Sequence, residues 1–373
     1  MSREEKNARI CILLDAREFV PGRLTGIGRV LLGLAGALSE TSWADRVILA
    51  GTSYDAIPPG LKAKEKISFA PLPSSFLWSE LALTRLADAS VDLFISPYPK
   101  LPLFGVKCPA AHFVHDILDL THPAYRKRAK RQFDSWRLKK ALRKATLTWY
   151  DSYWSLEETK KYAGYSGKNP KVRHLGIDER FDPLKIDVAE NTLKTYDLEP
   201  GYILVIGNGL PHKNLGVLLE LANEIGRRIV FAGIPEKNRG YWRAKYPQQK
   251  ATWIGHVSER DLPAIIKGAF CLAQPSTAEG YGYPPLEAMA CGVPAVVSNI
   301  PVLIETTGGN ALIADPWDPR SWREAFAALE NKNTYREQVE RGLRWVEPLR
   351  GHKGWEKHVS DVDGILSKST ECG

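Results

Sequence analysis

Two glutamates flank a glycine-containing stretch in the second half of the chain. Glu279 and Glu287 have seven residues between them, and these include Gly280, Gly282 and two prolines. Carboxylates accept hydrogen bonds from sugar hydroxyls, and a carboxylate near a helix start is stabilised by the helix dipole. Considered singly, each acid is better explained as an ordinary helix cap or a surface side chain.

The residues around the two acids predict a strand, a glycine loop, a short helix and a second strand. An apolar run that ends at Gln274 predicts the first strand, Leu286 to Cys291 the helix, and Val293 to Val297 the second strand. Pro284 and Pro285 suit a first helical turn, where a missing N–H costs nothing. The N–H groups at such a helix start can hold a phosphate, with an acid on each side of it.

Two further residues follow predicted strands at the edge where parallel sheets bind ligands. His115 comes directly after the apolar run 110–114, and Lys213 follows the first strand of the second half. A lysine beside a helix start can place a point charge on a diphosphate. A structural histidine and a plain surface lysine are the alternative interpretations. Asp116 either orients His115 or caps a helix, and Asn214 is expected to cap the next helix.

Composition is typical of a globular enzyme with more than one core: 373 residues, 44% of them hydrophobic and 25% charged. The net charge of +8 favours anionic partners. The five cysteines are scattered without metal-ligand spacing, which favours a reducing, cytosolic environment. No secretory leader and no apolar run of membrane-spanning length is recognisable, so the sequence predicts at most peripheral membrane contact.

From Glu279 onward the chain reads E-G-x-G-x-P-x-x-E-A-M-A-C-G-x-P. This pattern resembles the donor-site signature of the retaining glycosyltransferases of family 4, which have the GT-B fold. The resemblance implies that Glu287 binds the ribose of a nucleotide and that Glu279 contacts the transferred sugar. It also implies that the loop of Gly280, Tyr281 and Gly282 presents backbone donors to the diphosphate.

The first half of the chain is similar to the same family at two places. The T-G-I-G-R segment containing Gly26 and Gly28 resembles a family loop that faces the donor diphosphate, with a tight turn as the alternative. It lacks the third glycine of a dinucleotide fingerprint, which disfavours a nicotinamide-dependent enzyme. His115 and Asp116 match a family H-D pair, and by resemblance His115 holds the donor sugar at the catalytic centre.

Three positions in the second half complete the implied site. Lys213 matches the family lysine that contacts the diphosphate, and Asn208 stands where the family frequently has an arginine. His256 lies in a turn similar to one that borders the nucleotide base; stacking on the base and an ordinary loop position are the two interpretations. The implied catalytic set is therefore Glu279, His115 and Lys213, with no metal ligand and no cofactor.

The fold class predicted is α/β, because short apolar runs alternate with helical patterns throughout. The resemblance implies a GT-B arrangement of two Rossmann-like domains whose parallel sheets face each other across a cleft. The predicted divisions are residues 1–182 on the acceptor side, residues 183–349 for the nucleotide sugar, and residues 350–373 as a C-terminal helix that crosses back.

The most charged segment, Arg126 to Lys144, contains ten Lys or Arg residues and one acid, Asp134. Phe133 and Trp136 contribute to an apolar side at helical spacing. A solvated helix packed on its domain is the simplest interpretation. The functional alternative is a basic helix that meets an anionic membrane. Nucleic acid ranks last, because no nucleic-acid module is recognisable.

These features together predict a metal-independent retaining glycosyltransferase, cytoplasmic or peripheral at the inner face of the plasma membrane. The expected partners are a nucleoside-diphosphate hexose, such as GDP-mannose, and a glycan or lipid-linked acceptor in polysaccharide synthesis. The T-G-I-G-R segment and the P-H-K-N segment at 211–214 resemble those of mannosyl- and rhamnosyltransferases that build bacterial polysaccharides. A catalytically idle GT-B-like subunit that only binds nucleotide sugar is the alternative, and nucleic acid is not expected.

Overall fold

The computed structural model describes residues 10–22, 24–123, 128–186 and 190–371. The chain divides into two compact units. The first contains the residues up to Gly176 together with those from Gly351 onward, and the second runs from Ile177 to Arg350. The chain therefore passes between the units at residues 176 and 350, where the sequence predicted residues 182 and 349.

The first unit is a doubly wound α/β layer around one parallel sheet. Its described strands follow the spatial order β3-β2-β1-β4-β5-β6-β7. The strands are β1 Ile10–Asp15, β2 Ala44–Gly51, β3 Ile67–Pro71, β4 Leu93–Ser96, β5 Ala110–Val114, β6 Leu147–Tyr150 and β7 Pro170–Val172. The helices between them are α1 Gly26–Glu40, α2 Pro59–Lys62, α3 Phe76–Ser90, α4 Leu118–Thr121, α5 Arg128–Lys144 and α6 Tyr153–Ala163.

The second unit repeats this plan, and its described strands have the order β10-β9-β8-β11-β12-β13, again all parallel. The strands are β8 Tyr202–Ile206, β9 Ile229–Ala232, β10 Thr252–Trp253, β11 Ala269–Gln274, β12 Ala295–Ser298 and β13 Leu312–Ala314. The helices are α7 Glu190–Thr195, α8 Gly216–Leu221, α9 Glu236–Lys245, α10 Leu262–Lys267, α11 Tyr283–Ala290, α12 Pro301–Thr306, α13 Pro319–Leu329 and α14 Lys332–Val346.

The central strands are buried on both faces, which is why the sequence shows them as uninterrupted apolar runs. Every residue of β4, β5 and β6 is buried, as is every residue of β9 and β12. Parallel strands place all their carboxyl ends at one edge of each sheet, so the loops that leave those ends are the ones that converge.

The C-terminal segment belongs to the first unit. Trp355 precedes α15 (Glu356–Glu371) and packs so closely on Gly33 and Gly176 that a Cβ added at either glycine would lie 2.3 Å from its ring. Asp361 of α15 accepts hydrogen bonds from the indole of Trp149 at 3.0 Å and from Arg173 at 2.9 Å. These contacts fix the last helix on the first sheet.

Helix α5 differs from the pattern expected for it. Leu138 and Leu142 are buried as expected, but Phe133 and Trp136 are 41% and 49% exposed. Trp136 lies two residues before Leu138, which is roughly 200° around a helix, so the two aromatics are on the solvent face among the cations. Of the segment predicted at 126–144, residues 126 and 127 lie outside the described residues.

Candidate functional site

The second unit brings its two candidate catalytic side chains together at the point where the strand order reverses. Strands β8 and β11 are neighbours in the sheet, but their next connections run to opposite sides. Lys213 lies in the loop after β8, and Glu279 lies in the loop after β11. Ligands of open α/β sheets bind in the crevice at such a switch point. The amide of Thr277 donates to the carbonyl oxygen of His212 at 2.8 Å and joins the two loops.

Glu279 is a buried, multiply held carboxylate. Its Oε1 accepts hydrogen bonds from the Nζ of Lys213, the Nε2 of Gln274 and the Oγ of Ser276, each at 2.6 Å. The residue is only 8% exposed. Burial by itself favours the protonated acid, but the charge and hydrogen bond of Lys213 and the bond from Ser276 outweigh it, so the pKa of Glu279 is lowered. Glu279 is therefore an anchored anion, not a surface acid.

The loop after Glu279 turns sharply into α11. Gly282 precedes the helix with a φ of +89°, a left-handed conformation that favours glycine. Helix α11 begins at Tyr283, earlier than the predicted Leu286, and Pro284 and Pro285 occupy its first turn. Because neither proline has an N–H, any amide donors for a phosphate here have to come from the loop or from Tyr283, the first residue of the helix.

Glu287 lies one turn inside α11, not in its first turn as predicted, because the helix starts earlier. It is 1% exposed. A buried glutamate in a helix interior is unusual unless its charge has a use, since burying an ionised carboxylate is costly. Gly280, Tyr281 and Gly282 are also buried, whereas Pro284 and Gly292 of the predicted signature are partly exposed.

Two loop residues, Asn208 and Asn214, have local roles that the sequence did not indicate. Asn208 accepts a hydrogen bond from the amide of Leu210 at 3.1 Å and so stabilises the turn after β8. His256 is exposed in the loop after β10. Within the described part of the second unit, neither side chain hydrogen-bonds to Lys213 or Glu279. Asn214 does not cap α8 as predicted: it has a φ of +50° and donates to the carbonyl oxygen of Pro316 at 2.6 Å.

In the first unit, His115 is held at both ring nitrogens. Its Nδ1 lies 2.6 Å from Oδ2 of Asp151, and its Nε2 lies 2.9 Å from the carbonyl oxygen of Pro97. A carbonyl oxygen and a carboxylate both accept hydrogen bonds, so the arrangement favours a ring that donates from both nitrogens. Burial by itself favours the neutral ring, but Asp151 outweighs it and raises the pKa of His115.

The residue that orients His115 was not found from the sequence. Orientation of His115 and helix capping were the two roles proposed for Asp116. Its carboxylate accepts the amide of Leu118, the first residue of α4, at 2.8 Å, although Ile117 occupies the N-cap position. Asp151 performs the orientation instead. It follows β6, the neighbour of β5, so the strand-end rule that singled out His115 would also have selected it.

Gly26 and Gly28 lie in the first turn of α1 and not in a loop before it. Thr25 is the N-cap, and its Oγ1 accepts the amide of Gly28 at 3.0 Å. That amide is therefore already used by the cap. Glu18 accepts a hydrogen bond from the hydroxyl of Thr25 and another, at 2.9 Å, from the hydroxyl of Tyr98. A carboxylate therefore lies beside this helix start.

A buried ionic network, also missed from the sequence, lies behind this edge. Arg17 donates to Asp15 at 2.6 Å and to Glu80 at 2.9 Å, and Arg137 of α5 donates to Glu80 at 2.8 Å. Burial opposes the charge of Glu80, but Arg137 and Arg17 outweigh it, and the pKa of Glu80 is lowered. The network joins β1, α3 and α5 and so fixes the position of the basic helix.

The described residues contain neither a cluster of metal ligands nor a helix that could cross a membrane. In residues 10–22, 24–123, 128–186 and 190–371, no group of three or more His, Cys, Asp or Glu side chains is placed to hold a metal ion. Over the same ranges, no helix is long and apolar enough to cross a membrane.

Most of the second unit is similar to a family of known proteins. Residues 194–344 match the family model described as glycosyl transferases group 1. This part of the chain is therefore similar to a group 1 glycosyltransferase domain and is called the group 1 domain. The Lys213–Glu279 pair, Glu287 and the Gly280–Gly282 loop all lie within that domain.

Curated relatives agree with the group 1 domain. O-antigen chain mannosyltransferase B of Escherichia coli is 31% identical over 215 residues, which cover 55% of this chain and 56% of that protein. O-antigen chain mannosyltransferase RfbU of Salmonella typhimurium is 30% identical over 177 residues, 44% of this chain and 49% of that one. The chain thus spans about half the length of the curated relatives it matches.

Solved structures show the fold of the whole chain. Sucrose-phosphate synthase from Thermosynechococcus elongatus superposes with a TM-score of 0.77 at 16% identity, covering 98% of this chain and 100% of that one. The fold is GT-B, as predicted: two Rossmann-like units, of which the second is the group 1 domain.

Proposed function

We propose that the chain is a retaining glycosyltransferase that moves a hexose from a nucleoside-diphosphate sugar to a glycan or lipid-linked acceptor. The observation that carries this proposal is the Lys213–Glu279 pair at the switch point of the group 1 domain, 2.6 Å apart and followed by the buried Glu287. The two mannosyltransferase relatives support mannose as the sugar and GDP-mannose as the donor. They also support a place in O-antigen or lipopolysaccharide synthesis.

Each charged group has a distinct role in this proposal. Lys213 balances the charge that builds on the departing diphosphate, a role that Mg²⁺ fills in other enzymes. Glu279 faces the transferred sugar, and Glu287 accepts hydrogen bonds from the ribose hydroxyls. The loop from Gly280 to Gly282 supplies amide donors to the phosphates. No cofactor takes part, and the nucleotide sugar is a substrate.

In the first unit, we assign His115 to a hydroxyl of the donor sugar. Asp151 keeps Nδ1 in place, so Nε2–H is the donor that exchanges the carbonyl oxygen of Pro97 for the hydroxyl. A fixed imidazolium gives a charge-assisted hydrogen bond, which is roughly twice as strong as a neutral one. Gly26 remains a candidate amide donor at the start of α1, whereas Gly28 has to leave Thr25 to act as one. We further propose a cytoplasmic location with peripheral membrane contact.

The test separates nucleotide binding from sugar transfer. Glu287→Gln should weaken GDP binding by about ten- to a hundredfold, because a hydrogen bond to a charged group is worth roughly 1.5–3 kcal/mol. Glu279→Gln should leave GDP affinity nearly unchanged and lower kcat, because its interaction strengthens in the transition state. Calorimetry with GDP and UDP, and a transfer assay with GDP-mannose, measure the two effects.

Glu340→Gln on the exposed face of α14 is the matched control and should change neither quantity. Equal loss of diphosphate binding in the Glu279 and Glu287 variants would show that the roles are wrongly divided. Donor binding without transfer to any acceptor or to water would favour the idle binding subunit. Failure of the wild type to bind any nucleoside diphosphate would contradict the proposal as a whole.

A further inference from the structure

A surface pocket of about 510 Å³ lies along α5 in the first unit. The cations Arg131, Lys139, Lys140, Arg143 and Lys144 line it, together with the aromatic side chains of Trp136 and Tyr162. Among its described lining residues there is no carboxylate. A concave site with several cations and no acid is complementary to a phosphate group.

The pocket cations differ from the other cations of the same helix. Arg137 is paired with Glu80 at 2.8 Å, and Lys130 with Asp134 at 2.6 Å. By contrast, none of the five cations lining the pocket forms an ion pair with a carboxylate of the described residues. Their charge is uncompensated within the described chain, so the pocket has a positive potential that an external anion can neutralise.

An exposed aromatic cluster continues the pocket along α5. Phe76, Phe133 and Trp136 are 49%, 41% and 49% exposed. The rings of Phe76 and Phe133 lie 6.5 Å apart, and those of Phe133 and Trp136 lie 5.9 Å apart, so the three form one patch. Large aromatic side chains beside lysines and arginines are the composition of surfaces that enter the interface of an anionic bilayer.

The basic helix is firmly connected to the edge that contains His115. The Nη2 of Arg137 donates to the carbonyl oxygen of Leu101 at 2.6 Å, and the Nζ of Lys140 donates to that of Leu103 at 2.9 Å. Both carbonyls belong to the segment that follows Pro97, whose own carbonyl accepts from His115. A membrane contact at α5 would therefore hold this edge of the first unit at a fixed position relative to the bilayer.

We propose that the α5 pocket binds the phosphate headgroup of an anionic phospholipid while Phe133 and Trp136 enter the bilayer interface. The occupant is a lipid and not a free phosphate, because the cations alone would suit either, whereas the exposed aromatic patch beside them matches the interface of a bilayer and has no role in holding a free phosphate. The inference deepens the proposed transfer to a lipid-linked acceptor. It rests on that function only for the reason why the protein would bind a membrane.

Co-sedimentation with vesicles tests the site without donor or turnover. Wild type should bind vesicles that contain phosphatidylglycerol, and not vesicles of phosphatidylcholine alone. Each cation near an anionic surface contributes on the order of fivefold in partitioning, so Lys139→Gln with Arg143→Gln should weaken binding about 30-fold. Lys332→Gln with Arg336→Gln, which removes the same charge from exposed positions of α14, should change it less than about twofold.

The aromatic patch and the lipid source are tested separately. Trp136→Ala should weaken vesicle binding, whereas Trp317→Ala, which removes a 74% exposed tryptophan of the second unit, should not. Equal losses of vesicle binding in the two double variants would overturn the proposed lipid site, as would the absence of vesicle binding by wild type at low salt. Binding of inorganic phosphate, seen as thermal stabilisation, without vesicle binding would show that the occupant is a free phosphate and not a lipid. GDP affinity measured on the same samples reports separately on the proposed function.

Discussion

Removing Lys213 should destabilise the second unit far more than an ordinary surface lysine would. The ammonium of Lys213 and the carboxylate of Glu279 are 2.6 Å apart, and their side chains are 16% and 9% exposed. Breaking a buried pair by removing one partner costs about 3–5 kcal/mol, because the remaining charge is left uncompensated. Since Glu279 keeps its bonds from Gln274 and Ser276, we expect the lower end, about 3 kcal/mol, for Lys213→Met.

A double-mutant cycle isolates the pair. Glu279→Gln should cost less than Lys213→Met, because the lysine that remains can extend into solvent. The double variant should be less destabilised than the sum of the single ones by about 2 kcal/mol. Chemical denaturation measures the free energies. Arg323→Met, which breaks an exposed pair with Glu224, is the control and should cost under about 1 kcal/mol.

The pH dependence of this cost gives an independent check. In wild type the pKa of Glu279 is lowered, so its stabilisation is present above the unfolded value near 4.5 and is lost as pH falls through the folded value. Without Lys213 the burial remains and raises that pKa, so the sign reverses. The penalty of Lys213→Met should then be largest near neutral pH and shrink in acid. A penalty no larger than that of Arg323→Met, or a cycle without coupling, would refute the reasoning.

Two further predictions concern His115 and metal dependence. Asp151→Asn should lower the pKa of His115, measured by NMR titration, because the carboxylate is what raises it above its usual value. Stabilisation from a raised pKa is fully present below about 6.5 and is lost as pH rises through the folded value, so the variant's penalty should be largest in acid; an unchanged pKa would contradict this. Transfer should persist in EDTA, because Lys213 and the glycine loop supply the positive charge for the diphosphate. Turnover that is lost with chelator and restored by Mg²⁺ or Mn²⁺ would show otherwise.

The fold was predictable because parallel strands buried on both faces leave apolar runs that nothing interrupts. The predicted run 110–114 is β5, and the one that ends at Gln274 is β11. Ends of elements were less predictable, since they depend on local geometry. Helix α11 begins before its two prolines and not after them, and Asn214 has a left-handed conformation that excludes it from capping α8.

The sequence indicated which residues belong to the candidate site, but not which of them contact each other. The resemblance supplied Lys213 and Glu279, yet these lie 66 positions apart in the chain, and only the adjacency of β8 and β11 brings them together. Asp151 contacts His115 from 36 positions further along the chain, so this pairing depends on the adjacency of β5 and β6, and its place after a strand is the one sign of it in the sequence. In α5, Phe133 and Trp136 were assigned to the buried face because apolar side chains normally are, whereas their angular position puts them in solvent.

The separation of charge in the site suits the proposed reaction. As the sugar leaves the diphosphate, negative charge builds on the phosphate and positive charge on the sugar. Lys213 and Glu279 form a fixed pair of the matching signs, and Gln274 and Ser276 hold the carboxylate where it is. In the ground state the two charges largely cancel, so the pair adds little to donor binding. In the transition state each end has a partner of opposite sign, and an interaction that strengthens only then raises kcat without tightening the substrate complex.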